Sequence, residues 1–309
     1  MTETNAPPAV PADDLVAAFQ IEDMPVRGRI ARLSASIDQV LAAHDYPDAV
    51  ANLLGEACAL AALVGSALKS DGRMIVQAQG NGPVSYVVAD YDASGALRGY
   101  CRFDPERIGA MGDAVGVGFS RPGARDLLGE GVFIMTVDPG EGMERYQGVT
   151  PIEGETLALC AEQYFTRSEQ TPTRIRLAIG QVDTGEGANW RAGGILLQYI
   201  AGDDARGSTD DDWSRAQALF ETTGEDELID PTVSTPLLLY RLFHEDGARM
   251  FEPKPVRAFC KCSPERIEDL LKSFSPEERA EMIEPDGSIK VTCEYCSRSY
   301  SIEPATLEG

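Results

Sequence analysis

Four of the seven cysteines fall into two close pairs near the end of the chain, Cys260-Lys261-Cys262 and Cys293-Glu294-Tyr295-Cys296, with 30 residues between them. A thiolate is both a soft metal ligand and the side chain most readily oxidised. Two close pairs separated by a small folded insert is how a chain brings four thiolates to one tetrahedral Zn2+. The first pair is shorter than the usual C-x-x-C, so a general zinc-ribbon pattern fits only half of it. Two other readings stay open at this point. One is a purely structural zinc. The other, a thiol–disulfide active site at Cys293 and Cys296, lacks the βαβ context that such a motif usually occupies.

The insert carries its own folding signals. Ser263 can cap a helix with Pro264 at its first position, running to about Phe274. Ser275 and Glu278 are spaced as a capping box for a second helix. Asp286-Gly287 then turns the chain into a hairpin with strands at 288–292 and 299–302. A module of about 50 residues has a core that barely offsets chain entropy. A structural zinc supplies on the order of 10–16 kcal/mol in comparable peptides. The four thiolates are therefore expected to be the module's main stabiliser and its most oxidisable atoms, so that oxidation would release the metal and unfold the module together.

The rest of the chain must position this module. It has 309 residues and a formal net charge of −23, with 50 acids against 27 bases. Such a surface repels phosphate backbones and anionic leaflets, so neither nucleic acid nor membrane is an expected partner. The acidity is uneven: residues 1–200 hold 26 acids and 15 bases, and residues 201–309 hold 24 and 12. The first 20 residues lack a basic start and a long apolar run, and read as a Pro/Ala-rich flexible leader rather than a signal peptide. The apolar stretch 49–68 is interrupted by Asn52, Gly55, Glu56, Gly65 and Ser66, and reads as a buried core helix. An odd number of cysteines without an export signal points to a reducing cytoplasm.

Between leader and module the pattern is one of hairpins with few helices, an α+β class. Strands are predicted at 29–33, 74–79, 84–91, 96–103, 132–137, 144–150, 174–179 and 194–200. Helices are predicted from Ile37, at 49–68 and at 155–168, and residues 104–130 read as glycine-rich and irregular. Residues 202–212 contain five aspartates and no large apolar side chain, a solvated linker start. Amphipathic helical pieces follow at 213–220 and 235–243, too short to be stable alone. Glu252-Pro253-Lys254-Pro255 separates them from the cysteine module. The expected domains are thus a leader at 1–20, an α+β core at 21–201, an acidic helical linker at 202–255 and the four-cysteine module at 256–309.

Other reactive residues carry less. Cys58, Cys101 and Cys160 have no cysteine neighbour and read as buried small hydrophobes. His44 and His244 stand far from the cysteines in sequence and read as local surface or packing residues. Gly116-Val117-Gly118 is followed by Arg121 where a dinucleotide fingerprint needs glycine, and Gly140-Glu141-Gly142 lacks the Gly-Lys-Ser/Thr of a P-loop. No Ser/His/Asp or paired-carboxylate pattern stands out, and no catalytic residue is assigned.

Long stretches resemble the bacterial 33 kDa chaperonin family, the redox-regulated heat-shock holdases. They are PVRGRI at 25–30, LKSDGRMIVQAQGNGP at 68–83, LRGYCR at 97–102, EGMERYQGVTPIEGETLA at 141–158, YFTRSEQTPTRIRLA at 164–178, GGILLQ at 193–198 and LLYRLFHED at 238–246. The tail fits as FCKCSPER and VTCEYC. The departures are the Pro/Ala-rich leader and the Asp-rich linker start. The resemblance implies a chaperone core, a metastable helical linker packed on it, and a C-terminal redox switch binding one Zn2+ per chain through Cys260, Cys262, Cys293 and Cys296. It implies a non-enzyme that is inactive when reduced and zinc-bound. Oxidation would give Cys260–Cys262 and Cys293–Cys296 disulfides, release zinc, unfold the linker and favour a homodimer. That form would hold unfolding client proteins without ATP. The alternative is an enzyme or adaptor with a purely structural C-terminal zinc.

Overall fold

A computed structural model of the chain describes residues 13–68, 72–114, 121–140, 142–185, 187–200 and 209–307. Leu15, Ala17, Phe19 and Ile21 alternate along β1 (Leu15–Ile21) and bury their side chains on one face. This corrects the expectation of a flexible leader through residue 20; residues 1–12 lie outside those described. The alternation is stabilised on both sides, because β1 pairs with β2 (Val26–Leu33) and, across the other edge, with β10 (Ala248–Met250) and β11 (Lys254–Pro255). β9 (Ala188–Tyr199) and β8 (Thr173–Asp183) complete an antiparallel sheet in the order β10-β1-β2-β9-β8.

The second sheet is a meander built on β3 (Arg73–Gly80), β4 (Val84–Asp92) and β5 (Ala96–Phe103), extended by β6 (Gly131–Asp138) and β7 (Tyr146–Pro151). Its far edge is β12 (Arg257–Ala258), which lies parallel to β5. Between the sheets runs α2 (Asp48–Gly65), next to the short α1 (Ala35–Leu41). Fifteen of the 18 residues of α2 are buried, which makes it a core helix despite a length and hydropathy that would suit a bilayer. Its small residues set the spacing: a Cβ at Gly55 would come 2.8 Å from Ile179 of β8. The α5 helix (Leu157–Arg167), capped by Thr156, packs against the same core.

Two helices replace the irregular stretch expected at 104–130. Asp104 Oδ1 accepts the amides of Glu106 and Arg107 at 3.0 and 3.1 Å, which starts α3 (Pro105–Ala114). Gly123 starts the five-residue α4 (Ala124–Leu128), and residues 115–120 lie outside those described.

The outer face of the first sheet is covered by α6 (Thr209–Glu221), α7 (Glu225–Ile229) and α8 (Thr235–Phe243). Phe220, Leu228, Leu238, Leu242 and Phe243 bury on Leu15, Phe19, Ile30 and Ile195, with Phe19 and Phe243 stacked at 5.9 Å. Of the Asp-rich linker start expected at 202–212, residues 202–208 lie outside those described, and 209–212 are instead the first turn of α6. Two buried arginines of the sheet hold the end of α7 and the turn that leads to α8. Arg191 Nε donates to Ile229 O at 2.7 Å and Arg32 Nη1 to Val233 O at 2.9 Å. At the sheet edge Arg176 reaches Thr223 O and Glu221.

From α8 the chain runs as a strap, residues 248–258, across the β1 edge of one sheet to the β5 edge of the other. Val256 is buried in the main core. The boundary expected between 255 and 256 therefore falls inside a segment laced to the α+β core, because backbone pairing continues through the Pro-rich stretch. Gly95 fixes its path. It has φ +84°, accepts Arg257 N at 2.9 Å, and would place a Cβ 2.0 Å from Pro255 O. Gly95→Ala is expected to cost about 1–3 kcal/mol, since it adds a left-handed non-glycine residue to a backbone clash. The loss should show as a lower denaturant midpoint with faster amide exchange confined to 248–258.

Candidate metal and redox centre

Beyond the strap a separate small core forms from Ile267, Leu271, Ile289, Tyr300, Ile302 and Leu307. Ser263 caps α9 (Pro264–Lys272), its Oγ accepting Arg266 N at 3.3 Å. Ser275 and Glu278 form the reciprocal capping box of α10 (Pro276–Glu281) at 3.2 and 2.8 Å. β13 (Ile289–Thr292) and β14 (Ser299–Ile302) pair as a hairpin, and the 3-10 turn Pro304–Leu307 closes the module.

These elements bring the two cysteine pairs together. Cys262 directly precedes the cap of α9, and Cys293 directly follows β13. In the hairpin turn Cys293 N donates to Arg298 O at 2.9 Å, Ser297 N donates back to Cys293 O at 2.8 Å, and Ser297 takes φ +55°. The Sγ atoms of Cys260, Cys262, Cys293 and Cys296 all lie within 4.8 Å of one another. Cys260 and Cys293 are 3.6 Å apart, and Cys262 and Cys296 3.4 Å. Thiolates at about 2.3 Å from a tetrahedral metal stand about 3.8 Å from each other. The cluster is therefore close enough to hold a metal ion, and four sulfur donors suit a four-coordinate site closed by protein ligands.

The four sulfurs are not equivalent. Burial raises the Cys262 thiol, but hydrogen bonds from Tyr300 Oη, at 3.0 Å, and from the other cysteines outweigh it and bring the pKa down to about 7. Burial pushes Cys296 up to about 12 and also raises Cys260. Cys262 is thus a readier thiolate than Cys260 or Cys296. Cys58, Cys101 and Cys160 are buried elsewhere, raised by burial, and take no part in the cluster.

The module rests on β5 and on the loop after α1. Glu294 Oε1 meets Arg102 Nη2 at 2.6 Å, and Lys261 Nζ meets Asp92 Oδ2 at 2.8 Å. Arg98 sits 4.1 Å over the Tyr295 ring, which also meets Tyr100 edge-on at 4.9 Å. His44 Nε2 lies 2.8 Å from Glu294 O and its Nδ1 3.1 Å from Ser297 Oγ. The expected local role for His44 is therefore corrected, since its partners lie 250 residues away. His244 does stay local, against Tyr240 O. Arg98, Arg102, Asp92 and His44 were invisible as site residues, because nothing in their own neighbourhood marks a partner so distant in sequence.

A family model described as Hsp33 protein matches residues 14–303. The chain belongs to the Hsp33 family. Among its relatives is the 33 kDa chaperonin of Caulobacter vibrioides (strain NA1000 / CB15N), 70% identical and covering 97% of this chain and 98% of the relative. The 33 kDa chaperonin of Escherichia coli O7:K1 is 38% identical, covering 94% and 92%. A crystal structure of the 33 kDa chaperonin from Thermotoga maritima, 22% identical, superposes with a TM-score of 0.78 over 96% of this chain and 97% of its own. The Hsp33 fold is thus shared by a distant relative, with its mixed α+β architecture and a cysteine cluster near the C-terminus here. Relatives named as chaperonins accord with a chaperone rather than an enzyme.

Proposed function

We propose that this Hsp33-family protein is a redox-gated, ATP-independent holdase of the reducing cytoplasm. The observation that carries this is one of connectivity. The four clustered sulfurs lie in a module joined by an eleven-residue strap, 248–258, to helices that cover an apolar sheet face. In the reduced state Cys260, Cys262, Cys293 and Cys296 would hold one Zn2+, which supplies the cross-link that a core of this size needs.

Each cysteine pair, Cys260–Cys262 and Cys293–Cys296, can give up two electrons to one peroxide molecule. One S–S bond forms, the O–O bond breaks, and with two protons the peroxide leaves as two waters. The ligand set is then gone. The module loses its main stabiliser, the strap loses its anchor, and helices that are marginal alone come off the sheet. The uncovered face, with Leu15, Phe19, Ile30 and Ile195, supplies apolar surface for unfolding clients and for a second copy of the chain. The acidic charge of the linker disfavours its compact form and keeps the opened chain soluble.

The test is aggregation of a thermally unfolding client in the presence of reduced or peroxide-treated protein. Suppression is expected only after oxidation, with one zinc released as four thiols disappear. Equal activity in both states would overturn the gate. Zinc that survives oxidation in a folded protein would leave the metal a purely structural one.

A further inference from the structure

The ligand pattern leaves three residues between paired cysteines: Lys261 in the first pair, Glu294 and Tyr295 in the second. None offers a metal-binding sulfur, and none belongs to the module's apolar core. All three face the β4–β5 edge of the core domain. Lys261 pairs with Asp92 at 2.8 Å, Glu294 with Arg102 at 2.6 Å, and Tyr295 lies under Arg98 at 4.1 Å. The receiving side is itself braced. Asp90 Oδ2 holds Arg98 through Nη2 at 2.7 Å and Nε at 3.0 Å. Asp92 spends Oδ1 on the amides of Ser94 and Ala96, at 3.0 and 3.3 Å, and leaves Oδ2 for Lys261.

We propose that Lys261, Glu294 and Tyr295 are positioning residues through which the state of the four sulfurs sets the docking of the module, and with it the order of the linker. The inference rests on the redox-gated reading above. Its geometry is direct. Sulfurs that stand about 3.8 Å apart around a metal must close to about 2.05 Å to form a disulfide. Within C-x-C and C-x-x-C that change falls on the spanned residues. Their side chains are held in register by partners on another sheet, so closing either pair pulls the contacts apart. A metal site with other residues between its ligands would bind the ion as well, but would lack these three side-chain contacts to β4 and β5. Strand β12, on the same edge, then loses the support that keeps it beside Ala96 and Leu97.

The experiment uses the full chain, reduced and zinc-loaded. Glu294→Arg, Arg102→Glu and the double swap are compared with Lys261→Glu alone, because Asp92 also holds the turn at Ser94 and Ala96. Each single variant is expected to keep one zinc, four thiols and a protected β13–β14 hairpin. Amides of 235–258 should nevertheless exchange about tenfold faster or more, as for an ordinary coupling between sites. The double swap should return exchange towards that of the unchanged chain. Arg102→Glu lies outside the module, so a failure of the module to fold cannot account for its effect. Unchanged exchange in the single variants, or a Glu294/Arg102 double swap no better than its singles, would overturn the proposal. If the unchanged chain fails to hold clients after oxidation, the holdase reading falls, while the exchange data on reduced protein still decide the docking.

Discussion

Replacing Cys262 by serine is expected to unfold residues 259–307 while the two-sheet core stays folded. The module's apolar core consists of six buried side chains, too few to offset the entropy of about 50 residues. The site itself must supply the balance, and four-thiolate zinc binding provides on the order of 10–16 kcal/mol in small peptides. Serine keeps the shape of cysteine and the cap of α9, so little else changes at this position. It removes the sulfur whose pKa lies near 7, the one already favoured as a thiolate. The measurements are metal content and amide exchange of the reduced protein. Zinc should be lost, and protection should vanish across the pairs of Ile289 with Ile302 and Val291 with Tyr300. Protection in β3, β4, β8 and β9 should persist. A metal-free variant with an intact hairpin would show that the small core suffices, and the reasoning from size would fail. Ser297→Ala, one residue from Cys296 but not a ligand, is the matched control and should retain the metal.

What could be read in the sequence follows the range of the forces involved. Caps are local, so Ser263, Ser275 and Glu278 stand where the residue pattern puts them, and α8 spans the predicted 235–243. Tight reversals are local too, and β5 has its predicted bounds at 96–103. The first strand is not legible because Leu15–Ile21 opens on the unbroken apolar run Leu15-Val16-Ala17-Ala18, and its alternation acquires meaning only against β2 and a strap more than 220 residues later. The strap was missed because its two prolines read as a separator, although each flanking residue still has a backbone group to pair. The cysteine spacing identified the cluster; the surface it docks on left no trace. Arg102 meets Glu294 across 192 residues and His44 meets Glu294 across 250. Neither charge nor periodicity encodes such a pairing. Arg32 is the sharpest case. In an alternating strand it reads as a solvent-facing base, yet it is 1% exposed. Its partners are backbone carbonyls, which every residue has and no pattern marks.

Arg32→Ala is therefore expected to have an effect second only to the loss of a metal ligand. Its Nη2 donates to Asp230 O at 2.5 Å and Nη1 to Val233 O at 2.9 Å, with Asp13 3.8 Å from Nε. Burial costs this guanidinium enough to lower its pKa, with Asp13 working in the opposite direction. The fork thus does for the end of α7 what no residue of α7 can do. It satisfies the carbonyl of the C-cap Asp230 and that of Val233 in the turn before α8, and it places positive charge at the negative end of α7. Alanine leaves two carbonyls without their charged donor, a loss of about 3–5 kcal/mol, while Asp13 keeps Arg191 Nη2 at 2.5 Å. If that loss is local, opening of 225–243 should rise by about two to three orders of magnitude, since each 1.4 kcal/mol is tenfold. Amide exchange of the reduced, zinc-loaded protein would show it, with β8 and β9 unchanged. Arg32→Lys should recover only part, because an ammonium cannot reach two carbonyls with a planar fork. Arg191 Nε still holds Ile229 O in that variant, so the double replacement should exceed either single one. Such a protein would hold clients while still reduced, with its four thiols and its zinc intact. If exchange instead rises equally through β2, β8 and β9, Arg32 stabilises the sheet as a whole, and the linker is retained by its apolar contacts alone.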